Sequence, residues 1–188
     1  MGAEKSKAFG NGDISEEDLR ILTNLTPDEL RQIYDNFMKS TSGQMDRQQF
    51  EDFYEHFFCN DKNKKFVDHL FRTFDFNGDG KVNFKEFVCG LSVTTRGTPD
   101  EKLTWTFNVY DVNQDGTITL DEMNEIMRAI YAINGITESE QLRFGNEAFE
   151  GLDANGDGYI SVSEFVKGVK RDKRLVEFLD KTVVTVTK

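Results

Sequence analysis

One pattern, D-x-N-x-D-G-x-[VI]-x-x-x-E, occurs three times in this 188-residue chain. It reads DFNGDGKVNFKE from Asp75 to Glu86, DVNQDGTITLDE from Asp111 to Glu122, and DANGDGYISVSE from Asp153 to Glu164. The starts lie 36 and 42 residues apart. Repetition at such intervals implies one supersecondary unit used several times. Each interval has room for a loop, a helix, a link and a second helix. The flanks supply the helices. Phe66, Leu70, Phe71 and Phe74 precede the first stretch, and Phe84, Phe87, Val88 and Leu91 follow it at helical spacing. Leu103, Phe107, Val109 and Tyr110, then Met123, Ile126, Met127 and Ile130, frame the second. Leu142, Phe149 and Leu152, then Phe165, Val166 and Val169, frame the third. The expected unit is therefore helix–loop–helix.

The loop chemistry is that of a hard cation. Ca²⁺ takes six to eight oxygens at roughly 2.3–2.6 Å, and a twelve-residue loop supplies them from positions 1, 3, 5, 7, 9 and 12. In the first stretch these are Asp75, Asn77, Asp79, Lys81, Asn83 and Glu86. In the second they are Asp111, Asn113, Asp115, Thr117, Thr119 and Glu122, and in the third Asp153, Asn155, Asp157, Tyr159, Ser161 and Glu164. Lys81 and Tyr159 are compatible with position 7, which offers only a backbone carbonyl. Gly80, Gly116 and Gly158 stand at position 6, where the chain turns sharply. Val82, Ile118 and Ile160 fill position 8, where short strands of paired loops meet. Mg²⁺ at rest is compatible with the same oxygens. These are EF-hand loops.

EF-hands pair, so a fourth is expected upstream. FMKSTSGQMDRQQF (Phe37 to Phe50) has Gly43 at the turn and Met45 at the strand position. Met38 or Lys39 falls at position 1, Ser40 at or near 3, and Gln49 at 12, so the ligands are gone. This loop reads as a disabled site kept for pairing. Thr26, Pro27 and Glu29 form a helix start with a capping box, and Ser15 with Asp18 starts a shorter helix before it. The expected fold is all-α, with two lobes of paired EF-hands and short antiparallel β pairing between loops. Residues 1–93 form the N-terminal lobe, 94–102 a hinge around Gly97 and Pro99, and 103–188 the C-terminal lobe with its tail.

Composition narrows the function. The chain carries 23 Lys+Arg against 34 Asp+Glu, a formal charge of -11, which argues against a nucleic-acid partner. Seventeen Phe argue against disorder. Cys59 and Cys89 show no CxxC pattern and read as free thiols in a reducing cytosol. There is no apolar run of membrane-spanning length and no signal-peptide core in MGAEKSKAFGNGD. No nucleophile–base pair, phosphate loop or zinc spacing suggests an enzyme. Lone His56 and His69 read as surface or packing residues, and Trp105 as core at the lobe interface.

Four hands with a disabled first, YEHFF at Tyr54–Phe58, VNFKEFVCGLSVTTRGTPDEKLTWTFNVYDVNQDGTIT and DEMNEIMRAIYAI together resemble the neuronal calcium sensor family of recoverin, frequenin, neurocalcin and the visinin-like proteins. The likeness covers nearly the whole chain. The intact second hand fits a frequenin-, neurocalcin- or visinin-like pattern better than a recoverin-like one with two working sites. The resemblance implies a cytoplasmic calcium sensor, reversibly peripheral on membranes, that regulates a membrane-associated target protein. It also implies a groove for an acyl chain or target helix among Tyr34, Phe37, Phe50, Phe53, Tyr54, Phe57, Phe58, Phe84, Phe87 and Leu91. Met1-Gly2-Ala3-Glu4-Lys5-Ser6 fits the N-myristoylation signal at Gly2, and one such chain gives reversible attachment to a membrane surface. Two other readings stay open: a passive calcium buffer, and a regulatory subunit of an enzyme similar to calcineurin B.

Overall fold

The computed structural model describes residues 8–9, 14–57, 64–131 and 138–182. Gly2, Phe58 and Cys59 lie outside the described residues, as do the side chains of His56 and Phe57. Ten helices are seen in the described chain: α1 Glu16–Thr23, α2 Pro27–Ser40, α3 Arg47–Phe57, α4 Lys64–Phe74, α5 Phe84–Arg96, α6 Pro99–Tyr110, α7 Leu120–Tyr131, α8 Glu138–Leu152, α9 Val162–Arg171 and α10 Lys173–Thr182. The strands are two residues each. β1 Ala8–Phe9 pairs with β2 Ile14–Ser15, β3 Gln44–Met45 with β4 Val82–Asn83, and β5 Thr117–Ile118 with β6 Ile160–Ser161, all antiparallel. None of the described helices is long and apolar enough to cross a membrane.

The helix starts follow from side chains in the sequence. Thr26 with Glu29 forms the expected capping box, Ser15 with Asp18 forms another at the expected start of α1, and Thr98 with Glu101 adds one at α6. Each satisfies orphan N–H groups that the first helical turn leaves open. Gly97 and Thr98 alone separate α5 from α6, so the helical pattern breaks over a shorter stretch than 94–102.

The inner strand pairs, β3–β4 and β5–β6, lie within one hydrophobic core. Met45 faces Val82, and Ile118 faces Ile160, so the position-8 residues meet as expected, including in the disabled hand. All four are fully or almost fully buried. The same core holds Leu30, Phe37, Phe50, Phe84, Phe87 and Val88 from the first two hands, and Phe107, Tyr110, Met123, Ile126 and Phe165 from the last two. Ring pairs brace this core: Tyr34–Phe84 at 4.9 Å, Phe37–Phe87 at 5.2 Å and Phe107–Phe165 at 5.8 Å between centroids. Two further elements close the ends. α1 packs on α5 and buries Leu19, and the Ser92 hydroxyl donates to the Thr23 carbonyl. α10 packs on α9 and buries Leu175 and Leu179, one turn apart. The helical form of this tail segment was not read from the sequence, although the spacing of those two leucines carries it.

α4, the entering helix of the second hand, packs against both α6 and α7 of the third. Trp105 lies at this seam, with its ring 5.9 Å from Phe74 in an edge-on contact. His69, also on α4, is a buried packing residue.

Candidate metal centres

In all three intact repeats the entering helix ends one residue before the first Asp: α4 at Phe74, α6 at Tyr110, α8 at Leu152. The Asp then organises its loop. N–H groups of Asp79 and Gly80 donate to the two Asp75 carboxylate oxygens at 3.1 and 2.8 Å. Those of Asp115 and Gly116 donate likewise to Asp111 at 3.1 and 2.9 Å. In the fourth hand the partners of Asp153 are Gly156 and Gly158, at 2.8 and 3.0 Å. Position 3 accepts from the N–H of position 5 in each: Asn77 from Asp79 at 2.8 Å, Asn113 from Asp115 and Asn155 from Asp157 at 2.9 Å. Position 5 accepts in turn from position 7, so Asp79, Asp115 and Asp157 bond Lys81, Thr117 and Tyr159 at 2.9 Å. The backbone N–H groups thus bond both oxygens of Asp75, Asp111 and Asp153, and each oxygen keeps a second lone pair free of them. Gly80, Gly116 and Gly158 have φ of 81°, 88° and 85°, the left-handed turn that glycine adopts without strain.

The position-12 glutamates have a second role that reading them as ligands alone missed. Position 9 caps the exiting helix, and position 12 is its N3 residue. Asn83 accepts from the Glu86 N–H at 3.1 Å while Glu86 accepts from the Asn83 N–H at 2.9 Å. Thr119 with Glu122, and Ser161 with Glu164, repeat the exchange, strengthened by hydroxyls donating at 2.7 Å. The signal was legible: N-x-x-E, T-x-x-E and S-x-x-E are capping-box spacings. Glu86 and Glu122 also reach the start of their loops. Glu86 accepts from the Asn77 N–H at 3.3 Å, and Glu122 from Val112 and Asn113 at 3.0 and 3.1 Å.

Burial grades the three sites. Glu86 is 1 % exposed, and burial pushes its carboxyl above the usual range, with Asp75 and Asp79 adding to the effect. Burial raises Asp111 in the same way. The fourth hand is more open: hydrogen bonds from the Ser161 hydroxyl and N–H lower Glu164. Among the described residues, no three His, Cys, Asp or Glu side chains by themselves form a metal-holding group. The donor set accounts for this. Each candidate site also draws on Asn, Ser or Thr oxygens and a backbone carbonyl, and each Glu is turned to its helix cap. Hard oxygen donors around a glycine-shaped turn fit Ca²⁺.

The first hand keeps the frame and lacks the donors. Gly43 has φ of 97°, and Asp46 and Gln49 exchange N–H bonds at 3.0 and 2.9 Å, the same box at positions 9 and 12. Beside it lies an apolar cleft of about 580 Å³ lined by Ile33, Phe37, Met45, Phe53, Phe87 and Leu91, with Gln49 and Asp52 among its polar edges. Four residues of the aromatic set read from the sequence line this cleft. Phe50 and Phe84 lie beneath it as core. Cys89 is half-buried and free, with its thiol pushed up by burial.

The family model for the EF-hand domain pair matches residues 27–92 and 100–170. Guanylyl cyclase-activating protein 1 of Gallus gallus is 37% identical over 168 residues, covering 88% of this chain and 84% of the relative. The protein of the same name from Lithobates pipiens is 34% identical over 168 residues, covering 88% and 82%. Guanylyl cyclase-activating proteins were not among the relatives that the sequence pattern singled out. Loops, pairing and relatives agree that the chain is a calcium-binding EF-hand protein and belongs to the neuronal calcium sensor family.

Proposed function

We propose that the protein is a sensor that takes up three Ca²⁺, in the loops of Asp75–Glu86, Asp111–Glu122 and Asp153–Glu164, and passes the change to a target. One observation carries this reading. Glu86 and Glu122 each bond the start of the loop and the cap of the exiting helix at once. A Glu that turns to an ion therefore moves the first turn of its helix with it. Three Ca²⁺ shift the formal charge from -11 to about -5 and relieve repulsion within the loops. The apolar cleft beside the first hand is of a size to take a target helix or an acyl chain, and α5, which lines it, is the exiting helix of the second hand. Myristoylation at Gly2 then makes membrane attachment reversible. The same loop oxygens are compatible with Mg²⁺ at rest. By its relatives' names, the target class is a guanylyl cyclase.

Isothermal titration is expected to show three Ca²⁺ sites with affinities of about 10⁻⁷–10⁻⁵ M. Liposome sedimentation and hydrophobic-dye binding by the myristoylated protein should both rise with calcium. Added to guanylyl cyclase-containing membranes, the protein should change cyclic GMP formation between calcium and chelator. Calcium binding with no change in dye, liposome or cyclase readings would leave a buffer in place of a sensor.

A further inference from the structure

The seam between the second and third hands contains a contact that touches both helices of the third hand from one helix of the second. On α4, the Arg72 guanidinium donates to the Val109 carbonyl at 3.0 Å and approaches His69 Nδ1 at 3.2 Å. His69 Nε2 lies 3.5 Å from a Glu125 carboxylate oxygen. Val109 belongs to α6 and stands two residues before Asp111. Glu125 belongs to α7 and stands three residues after Glu122. Arg72 itself stands three residues before Asp75. The pair therefore spans the entering and exiting helices of the third hand while riding on the entering helix of the second.

We propose that Arg72 and His69 form a clamp that couples calcium occupancy of the second and third hands across the lobe boundary. This rests on the reading of those two loops as calcium sites. The clamp fits one angle between α6 and α7, and sensor hands change that angle when they bind calcium. Two further observations mark the seam as a place that repacks. Arg72 Nε and Trp105 Nε1 are both buried there without a hydrogen-bond partner, a feature that native structures keep rare. The half-buried Arg72 also lies in the field of Asp111, Glu122 and Glu125. Calcium in the third hand cancels part of that field as it turns α7, and so frees α4. The second hand then opens against less restraint. Linkage makes the effect reciprocal. Arg72 and His69 are positioning residues here, since neither is placed on the ion.

The only tryptophan in the chain, Trp105, reports the seam by fluorescence. Calorimetry and Trp105 emission are followed on calcium titration of the wild type, Glu86→Gln, Arg72→Met and the double variant. Loss of the second site by Glu86→Gln is expected to weaken the third by about fivefold, at the low end of allosteric coupling. In Arg72→Met the same loss should leave the third site unchanged. Glu164→Gln should still affect it through the β5–β6 pairing, which a general loss of fold would not preserve. Arg72→Lys keeps the charge and loses the fork, and should uncouple as Met does. His69→Gln provides an independent variant should position 72 prove intolerant. Coupling retained in Arg72→Met or Arg72→Lys would overturn the clamp, as would a third site indifferent to Glu86→Gln in the wild type. Absence of calcium binding at the second or third site would overturn the calcium reading itself, and the clamp with it.

Discussion

The first and second hands share one lobe, one strand pair and one turn geometry, and differ in what they can hold. Met45 and Val82 face each other in β3 and β4. Gly43 and Gly80 both turn at positive φ. Asp46 with Gln49 caps α3 as Asn83 with Glu86 caps α5. The difference appears at the entrance. α4 stops at Phe74, and the loop begins with Asp75; α2 continues through Ser40, which the strand register places at position 3. With no carboxylates to organise the loop, the chain keeps its helical hydrogen bonds, and the Thr41 N–H still reaches the Phe37 carbonyl at 3.0 Å. The frame of a hand and its metal site are thus separable. Strand, glycine and cap build the frame, and the proposed metal site adds Asp at positions 1 and 5 with Glu at 12.

Glu86→Gln tests that separation most severely. Gln49 already shows that glutamine serves the cap, so the variant should fold with unchanged helix content by circular dichroism. Its second site should weaken by more than about 100-fold in calorimetry, beyond what loss of an outer-shell partner costs. Glu86→Ala should lose the site and also destabilise the lobe by about 1 kcal/mol, as cap losses do. Equal unfolding midpoints for the two variants would show that the cap contributes nothing.

The converse change should restore the first hand. Met38→Asp, Ser40→Asn, Ser42→Asp and Gln49→Glu together place the repeated donors at positions 1, 3, 5 and 12. The frame is already present, so calorimetry should find one additional site of about 10⁻⁵ M, the weak end of the sensor range. The end of α2 should retreat toward Phe37, visible in amide exchange of residues 38–41. An unchanged stoichiometry would mean that the extended α2 resists uncoiling.

What was legible in the sequence divides along the same line. Positions dictated by local chemistry were readable: Gly43 at the turn, the Thr26 and Ser15 caps, and the pairing of Met45 with Val82. They depend on residue type at fixed spacing. The extension of α2 was hidden, because it follows from what the first loop lacks. The capping role of Glu86, Glu122 and Glu164 had a legible spacing, but the calcium pattern at the same positions took precedence over it. The cleft was read as a broad aromatic set. Only tertiary packing shows that Phe37, Phe53, Phe87 and Leu91 line it while Phe50 and Phe84 support it. The Arg72–Val109 contact joins residues 37 apart and has no local signature.

A smaller effect is expected from the caps alone. Asn83→Ala and Asp46→Ala each remove the side chain that accepts from the N3 N–H, and each should cost about 1 kcal/mol in urea unfolding. With calcium present the costs should diverge. Asn83 is also a proposed donor at position 9, so its loss should cost more with calcium than without, whereas Asp46, with no proposed ion beside it, should cost the same in both. Identical costs with and without calcium would place the second loop's rigidity in its backbone rather than in its metal.

The smallest effect belongs to the tie between the two hands. Arg96, in the last turn of α5, pairs with Glu29 in the first turn of α2 and also donates to the Asn24 carbonyl at 3.2 Å. The Arg96 guanidinium, with the N–H and hydroxyl of Thr26, holds the Glu29 carboxyl at about 2 against an ordinary 4.5. The folded value is the lower one, so the stabilisation is complete above 4.5 and is lost as pH falls toward 2. Glu29→Gln keeps an oxygen for the Thr26 cap, as Gln49 does for Asp46, and removes only the charge. Its urea midpoint should lie slightly below that of the wild type at neutral pH and meet it near pH 2. The pair is exposed, so the neutral-pH gap should also shrink with added salt. A gap that persists at pH 2 would assign the effect to packing of the Glu29 side chain. A gap absent at neutral pH would show that the two hands are held together by their strands and their shared core alone.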